Sequence, residues 1–113
     1  MPKKVVKGKL VLTHGQLKKQ IVDFLRWHGW LVIPIAQGAF AYHGIADLYI
    51  IKYTGDLVFQ VWIELKIGKD KQSGHQLKFE TDIINQGGRY WVIRNLEDLK
   101  SCLRDCSFPE EKE

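Results

Sequence analysis

Apolar and polar positions along the chain follow a helical period in three segments. Each segment has a capping residue directly before it or at its start: 14–28 after Thr13, 73–86 at Ser73, and 95–106 at Asn95. In the first two, a glutamine three residues after the cap completes a capping box, Gln16 or Gln76. The pattern therefore predicts three helices, and glycines follow the first two as stop signals.

Four other segments are rich in β-branched and aromatic residues and are bounded by turn residues: 30–36, 45–53, 57–67 and 89–94. The Thr-Gly-Asp turn at 54–56 predicts a hairpin between the second and third of them. The helix over 73–86 then crosses over to the fourth strand. We therefore expect an α/β fold of order α-β-β-β-α-β-α, with helices flanking a central mixed β-sheet of about four strands.

With 113 residues, the chain suits a single domain, 1–113, with a basic N-terminal arm over 1–12 and an acidic tail over 107–113. The net charge of +4 permits a polyanionic partner without requiring one. No apolar run approaches the roughly 20 residues that span a bilayer. These features predict a soluble intracellular protein of cytoplasmic type.

Charged residues interrupt the strand "VFQVWIELKIGK" at 58–69. Glu64 and Lys66 are two residues apart, so strand alternation predicts that they point to one face and Leu65 to the other. The apolar flanks indicate a strand covered on both faces, where an unpaired charge is costly. Asp47, in the preceding strand, is expected to meet Glu64 across the hairpin. If the two acids lie far apart instead, Glu64 and Lys66 are an ordinary surface ion pair.

Two neighbouring carboxylates repel, and a divalent cation relieves that repulsion. Mg²⁺ prefers oxygen ligands and binds one or two carboxylates while keeping several waters. Lys66 would lie beside such an ion, where it could orient or deprotonate an attacking water or stabilise charge on a phosphate oxygen. Two acids, one lysine and a metal ion are suited to phosphodiester hydrolysis.

Asp47 in "GIADLYII", together with "VWIELKIGKDKQSGHQLKFETDIINQGGRYWVIRNLEDL", resembles the PD-(D/E)xK nuclease superfamily. Within it, the chain is similar to the VRR-Nuc branch and to archaeal-type Holliday junction resolvases, over about residues 13–100. The resemblance implies a restriction-endonuclease-like core and a Mg²⁺ or Mn²⁺ site. It implies Asp47, Glu64 and the backbone carbonyl of Leu65 as metal ligands and Lys66 as the catalytic lysine. Gln76 would position Lys66 or the phosphate.

The chain departs from the family pattern in two places. Ala46 stands where the motif has proline, a position that shapes the backbone and binds nothing. Many relatives also carry a first-helix glutamate that adds to the metal site, whereas this chain has no glutamate before Glu64. Gln16 or Gln20 lies in the corresponding region and could act through a metal-bound water. The gap favours one metal ion per site.

Further residues are expected either to contact DNA or to have only a structural or solvated role. Those beside the predicted site are Lys69, Lys71, His43 and Tyr42, and those in the basic N-terminal arm are Lys7 and Lys9. Trp62 would stack on a base or, more simply, pack in the core or an interface. A homodimer is expected, with Phe40, Trp62 and Trp91 as interface candidates.

The leading hypothesis is a metal-dependent, structure-selective DNA endonuclease acting on branched DNA, specifically a Holliday junction resolvase. Its small size favours a resolvase over a restriction enzyme, since no recognition domain is present. The first alternative keeps the chemistry and changes the substrate to flaps, nicks or general DNA, as in VRR-Nuc-type nucleases. The second is a non-catalytic DNA-binding module, motivated by the missing first-helix glutamate. An origin in a phage or mobile element is implied only by the resemblance.

Overall fold

The computed structural model describes residues 4–6, 9–38 and 41–106, with the backbone alone for 4–6, 9 and 10. Its nine elements in chain order are β1 (Lys4–Val6), β2 (Lys9–Val11), α1 (His14–Trp27), β3 (Leu31–Pro34), β4 (Leu48–Tyr53), β5 (Val58–Leu65), α2 (Gly74–Asn85), β6 (Arg89–Ile93) and α3 (Leu96–Asp105). None of the described helices combines the length and apolar character needed to cross a bilayer.

The central sheet has the strand order β3-β4-β5-β6. The first three strands form an antiparallel meander, in which Ile50 lies opposite Val61. The last pair is parallel, with Glu64 opposite Val92, because α2 returns the chain to the same end of the sheet. The predicted α/β fold, with three helices and a four-stranded mixed sheet in that order, is confirmed.

Both predicted capping boxes are present. The Thr13 hydroxyl accepts from the backbone amide of Gln16, whose side chain accepts from the amide of Thr13. Ser73 and Gln76 repeat the arrangement at α2. These bonds satisfy amide groups that a helix start leaves without partners, so they define where α1 and α2 begin.

The N-terminal arm contains structure that we did not predict. β1 and β2 form a two-stranded antiparallel sheet, in which Val6 pairs with Lys9. The Val-Val and Leu-Val pairs on either side of a Lys-Gly dipeptide are a weak hairpin signal, because three residues per strand are too few to show a period. Lys7 and the acidic tail over 107–113 lie outside the described residues, as does the side chain of Lys9.

Helices cover both faces of the sheet, so β5 is buried on both sides near its end. The main core joins α1, α3 and one sheet face through residues such as Leu17, Ile50 and Ile63. A smaller cluster of Ala46, Phe79 and Tyr90 joins α2 to the other face. Glu64 therefore lies on the α2 side, as the alternation of strand side chains requires.

The described residues cover the α2 side of the sheet only in part. Helix α2 packs over β6 and the end of β5, while the alternate positions of the meander that share its face remain accessible. These apolar positions, here called the open sheet face, are Leu31, Ile33, Tyr53 and Val58, with 59%, 39%, 70% and 54% of their surface exposed. A monomer rarely leaves neighbouring apolar strand positions this accessible.

Candidate active site

Two strand ends bring Asp47 and Glu64 together. Asp47 directly precedes β4, and its amide donates to the carbonyl of Ile63 in β5 (3.0 Å). The Asp47 side chain turns back to β5, where Oδ2 accepts from the amide of Leu65 (2.8 Å). The backbone ladder and this side-chain bond together fix the Asp47 carboxylate beside the last residues of β5.

Glu64 is the only charged residue that is fully buried in the described part of the chain, with 2% of its surface exposed. Its Oε2 accepts from the side-chain amide of Gln76 (2.8 Å) and lies 3.6 Å from Lys66 Nζ. Its Oε1 accepts from the hydroxyl of Tyr90 (3.3 Å). A surface ion pair has none of this burial or bonding, so that interpretation does not apply to Glu64.

The environment of Glu64 favours its protonated form. Burial, and after it the negative charge of Asp47, raise the pKa of Glu64 from its ordinary value of 4.5 to about 7. The charge of Lys66 and the Tyr90 hydroxyl act in the opposite direction and are included in that value. The Asp47 carboxylate therefore lies near enough to Glu64 to disfavour a second negative charge there.

Gln76 connects the helix cap to the acids. Its Oε1 accepts from the backbone amide of Ser73 (2.9 Å) and from Lys66 Nζ (2.8 Å). Its Nε2 donates to Glu64. Lys66 is held largely buried, with 13% of its side chain exposed. The capping glutamine therefore fixes the relative position of the lysine and the buried acid.

His14 is a residue of this site that the sequence did not single out. It is the first residue of α1, and its Nε2 lies 3.7 Å from Asp47 Oδ2 with nearly half of the side chain accessible. Gln16, one of the two expected support residues, serves the α1 capping box, while Gln20 is exposed and lines a groove with Ile67 and Arg94. Helix α1 thus brings a histidine, and neither of the expected glutamines, to the Asp47 carboxylate.

Tyr90 was also missed. Burial and the nearby Glu64 hold the pKa of Tyr90 well above its ordinary value, so its hydroxyl stays protonated and donates. In the parallel register Tyr90 lies opposite Trp62. Trp62 is two positions before Glu64 in β5, so the three side chains are on the same face of the sheet. That register follows from how α2 crosses over, which the local sequence pattern does not specify.

The chemistry of the donor set suits a hard divalent cation. Mg²⁺ uses one or two protein carboxylates and completes its shell with water, and a protonated carboxyl group loses its proton when it binds a metal ion. Among the described residues, no three His, Cys, Asp or Glu side chains form a group that could hold a metal ion. Asp47 and Glu64 therefore stay a predicted pair of ligands. The described contact of Leu65 at this point is its amide to Asp47, and its carbonyl as a ligand stays a prediction.

The expected DNA-contacting lysines lie on an exposed loop that leads from the site to α2. Lys69 and Lys71 are both accessible there. Arg94 holds the loop through bonds to the carbonyls of Gly68 (3.2 Å) and Asp70 (2.7 Å). The loop is therefore fixed close to the acids and presents two cations to solvent.

Trp62 and Trp91, two of the aromatic residues considered for a dimer interface, pack within the fold. Trp62 is half-buried against Tyr49 and Phe79, at ring-centroid distances of 4.5 and 5.2 Å. Trp91 packs against the main core. Phe40 lies outside the described residues. The packing of the two tryptophans favours the core role considered for Trp62 and leaves neither as an exposed interface anchor.

Comparison of the chain with protein-family models, with curated proteins and with solved structures found no match. A function assigned to this chain therefore has to come from its residues and their geometry. The most informative feature is the pair of acids, one of them buried, with a bonded lysine and glutamine. Apolar side chains of similar volume often stabilise a fold as well as a buried ionic group does or better, so the polar set calls for a chemical reason.

Proposed function

We propose that the protein is a metal-dependent endonuclease that hydrolyses phosphodiester bonds in branched DNA, with a four-way junction as the leading substrate. The observation that carries the proposal is the cluster of Glu64, which is buried, with the partly buried Asp47, Lys66 and Gln76, in which two acids share a site with one amine. The restriction-endonuclease-like arrangement of the core belongs to the same proposal. It is supported by helices on both faces of the mixed sheet.

Asp47 and Glu64 would hold Mg²⁺ or Mn²⁺, which supplies Lewis-acid polarisation of the phosphate and of a nearby water. Carboxylate ligands bind a metal ion in their ionised form, so metal affinity would rise with pH through about 7, the pKa of Glu64. His14 is placed to hydrogen-bond Asp47 or a water beside it. His14 would take the place that a first-helix glutamate has in many members of the families that the chain resembles.

Lys66 is the residue that would act directly on the reacting groups, the attacking water or the phosphate. Its amine is near the acids and is fixed by a 2.8 Å bond to Gln76. From there it orients the attacking water or stabilises negative charge that develops on the phosphate. Gln76 acts through Lys66 and Glu64, so it is a positioning residue.

A homodimer stays part of the proposal, because a symmetric pair of cuts needs two sites related by a two-fold axis. The open sheet face is the surface that supports it. Leu31→Lys places a charge in this face and is expected to give a monomer in sedimentation velocity runs. Leu57→Lys alters an equally exposed leucine in the β4–β5 turn (61% exposed, against 59%) and should keep the wild-type mass. If both variants keep the wild-type mass, the partner surface lies elsewhere.

The deciding experiment is cleavage of a synthetic four-way junction with Mg²⁺ or Mn²⁺, with flap, nicked and fully paired DNA as comparison substrates. Asp47→Ala and Lys66→Ala should abolish cutting while retaining DNA binding. Preferential cutting of flaps or nicks would move the substrate to the VRR-Nuc-type alternative. Equal activity of wild type and both variants would refute the assignment.

A non-catalytic DNA-binding module is the second candidate, favoured by the absence of a third metal-ligating side chain among the described residues. Calorimetric titration with Mn²⁺ separates the two. The nuclease requires metal binding that disappears in Asp47→Ala and in Glu64→Gln. Binding to DNA without any such metal affinity would favour the module.

A further inference from the structure

A groove of about 340 Å³ lies beside the acid site, between the loop that precedes Asp47 and the first turns of α2. Its lining residues are Tyr42, His43, His75, Lys78 and Phe79. The floor is apolar, since Phe79 is 7% exposed and belongs to the cluster under α2. The rim carries imidazole and amine groups.

The backbone of this groove is fixed before any ligand arrives. Gly44 has a φ of +77°, and a Cβ at this position would lie 2.2 Å from the carbonyl oxygen of His75. Only glycine allows the loop to pass so close to α2. A bond from the amide of Ile45 to the carbonyl of Tyr42 (3.0 Å) closes the turn. A preformed groove loses little entropy when it binds a ligand.

The groove and the acid site share both walls. His75 directly precedes Gln76, which bonds Glu64 and Lys66. On the other wall, the loop continues through Ala46 into Asp47. Because residues that are adjacent in sequence line the groove and hold the acids, the two sites are neighbours in the fold.

The groove offers contacts for both parts of a nucleotide. Tyr42 is 61% exposed, and its ring is tilted at 59° to that of Phe79 at a distance of 5.6 Å, which leaves an aromatic surface accessible to a base. The rings of His43 and His75 meet edge to face at 5.0 Å, and no hydrogen bond within the described residues engages their ring nitrogens. Those nitrogens can donate to phosphate oxygens. Lys78, at the rim, is bonded to Asp82 (2.7 Å) and contributes less net charge.

We propose that this groove binds one unstacked nucleotide of the DNA substrate next to the cut, with its base on Tyr42 and its phosphate at His43 and His75. The inference rests on the proposed nuclease function and deepens it, because it specifies DNA with interrupted stacking as the substrate. In an intact duplex both faces of a base are occupied by its neighbours, so it cannot stack on a side chain. A branch point or a single-stranded arm supplies a free base face.

Binding in EDTA tests the groove without cleavage. Two labelled DNAs of the same sequence are compared by fluorescence anisotropy, a splayed duplex with a single-stranded arm and its fully paired counterpart. Tyr42→Leu removes the aromatic face but keeps an apolar contact with Phe79, and it should weaken binding of the splayed DNA about 5- to 140-fold, the range for losing one stacked base. Tyr42→Phe should bind within about twofold of wild type, because stacking needs only the ring.

Trp27→Leu is the matched control, since Trp27 is an exposed aromatic (80%) on α1, across the sheet from the groove. It should leave both affinities unchanged. Equal binding of the splayed DNA by wild type and Tyr42→Leu would overturn the inference, even if the wild type cleaves junctions with Mg²⁺. A loss of affinity that is confined to Tyr42→Leu and to the splayed DNA supports the inference. Absence of cleavage by the wild type would refute the nuclease function and leave this binding result standing.

Discussion

The raised pKa of Glu64 makes the free energy of unfolding depend on pH in a direction opposite to that of most salt-bridged carboxylates. Glu64 has an ordinary pKa of 4.5 in the unfolded chain and about 7 in the folded protein. Between these values the folded state binds more protons, so the free energy of unfolding falls as pH rises. Glu64 adds no pH dependence to the free energy of unfolding below about pH 4.5, and its contribution stops changing above about pH 7.

The size of this effect follows from the pKa displacement. At 1.36 kcal/mol per pH unit, moving the pKa of Glu64 from 4.5 to about 7 corresponds to at most about 3 kcal/mol. That is a large part of the stability of a domain of this size. Burial of Glu64, with 2% of its surface exposed, is the first cause and is not screened by salt.

Urea unfolding followed by tryptophan fluorescence, in EDTA at constant ionic strength from pH 4.5 to 8, measures this loss. Glu64→Gln is the comparison, since it keeps the shape of the side chain and removes its titration. Subtracting one curve from the other removes every contribution that the two proteins have in common. Wild type should lose about 3 kcal/mol more than the variant over this range. Parallel curves would show that the pKa of Glu64 is the same in the folded and the unfolded protein, which would refute the reasoning.

Two further predictions concern the elements that hold the site. Gly44→Ala should lower the free energy of unfolding by about 2 kcal/mol or more, because the new side chain would meet both a left-handed φ and the His75 carbonyl. Gly38→Ala is the control: a Cβ there meets no atom within 4 Å, so the same unfolding measurement should show a loss under about 0.5 kcal/mol. Gln76→Ala should cost about 2 kcal/mol and lower cleavage, while Ser73→Ala removes only the cap and should cost about 1 kcal/mol with cleavage retained. Equal losses in the last two variants would mean that the bonds of Gln76 to Glu64 and Lys66 contribute nothing.

Local signals carry most of the fold. The two capping boxes predict where α1 and α2 begin, and the turn at 54–56 predicts the β4–β5 hairpin. The β1–β2 hairpin escaped prediction because its strands are too short to show alternation. The open sheet face was not predicted either, because the extent to which α2 covers the sheet depends on the path of the crossover and not on the local sequence of the helix or of the strands.

The candidate site divides in the same way. The acids and the lysine follow from alternation within one strand and from the hairpin that pairs it with the preceding strand, both of which are local. His14 and Tyr90 join them only after α1 docks and β6 takes its parallel register. Gln76 was predicted in two separate roles, as a cap and as a site residue, and the structure joins these roles in one side chain.

That double role ties the acid site to the fraying of a helix end. Terminal turns open by thermal motion far more often than the whole protein unfolds. Each time the first turn of α2 opens, Glu64 loses its amide donor and Lys66 loses its acceptor in the same event. The fraction of time that the cluster stays assembled cannot exceed the fraction of time that this single turn stays closed, and deuterium uptake at the backbone amide of Gln76 reports that fraction directly.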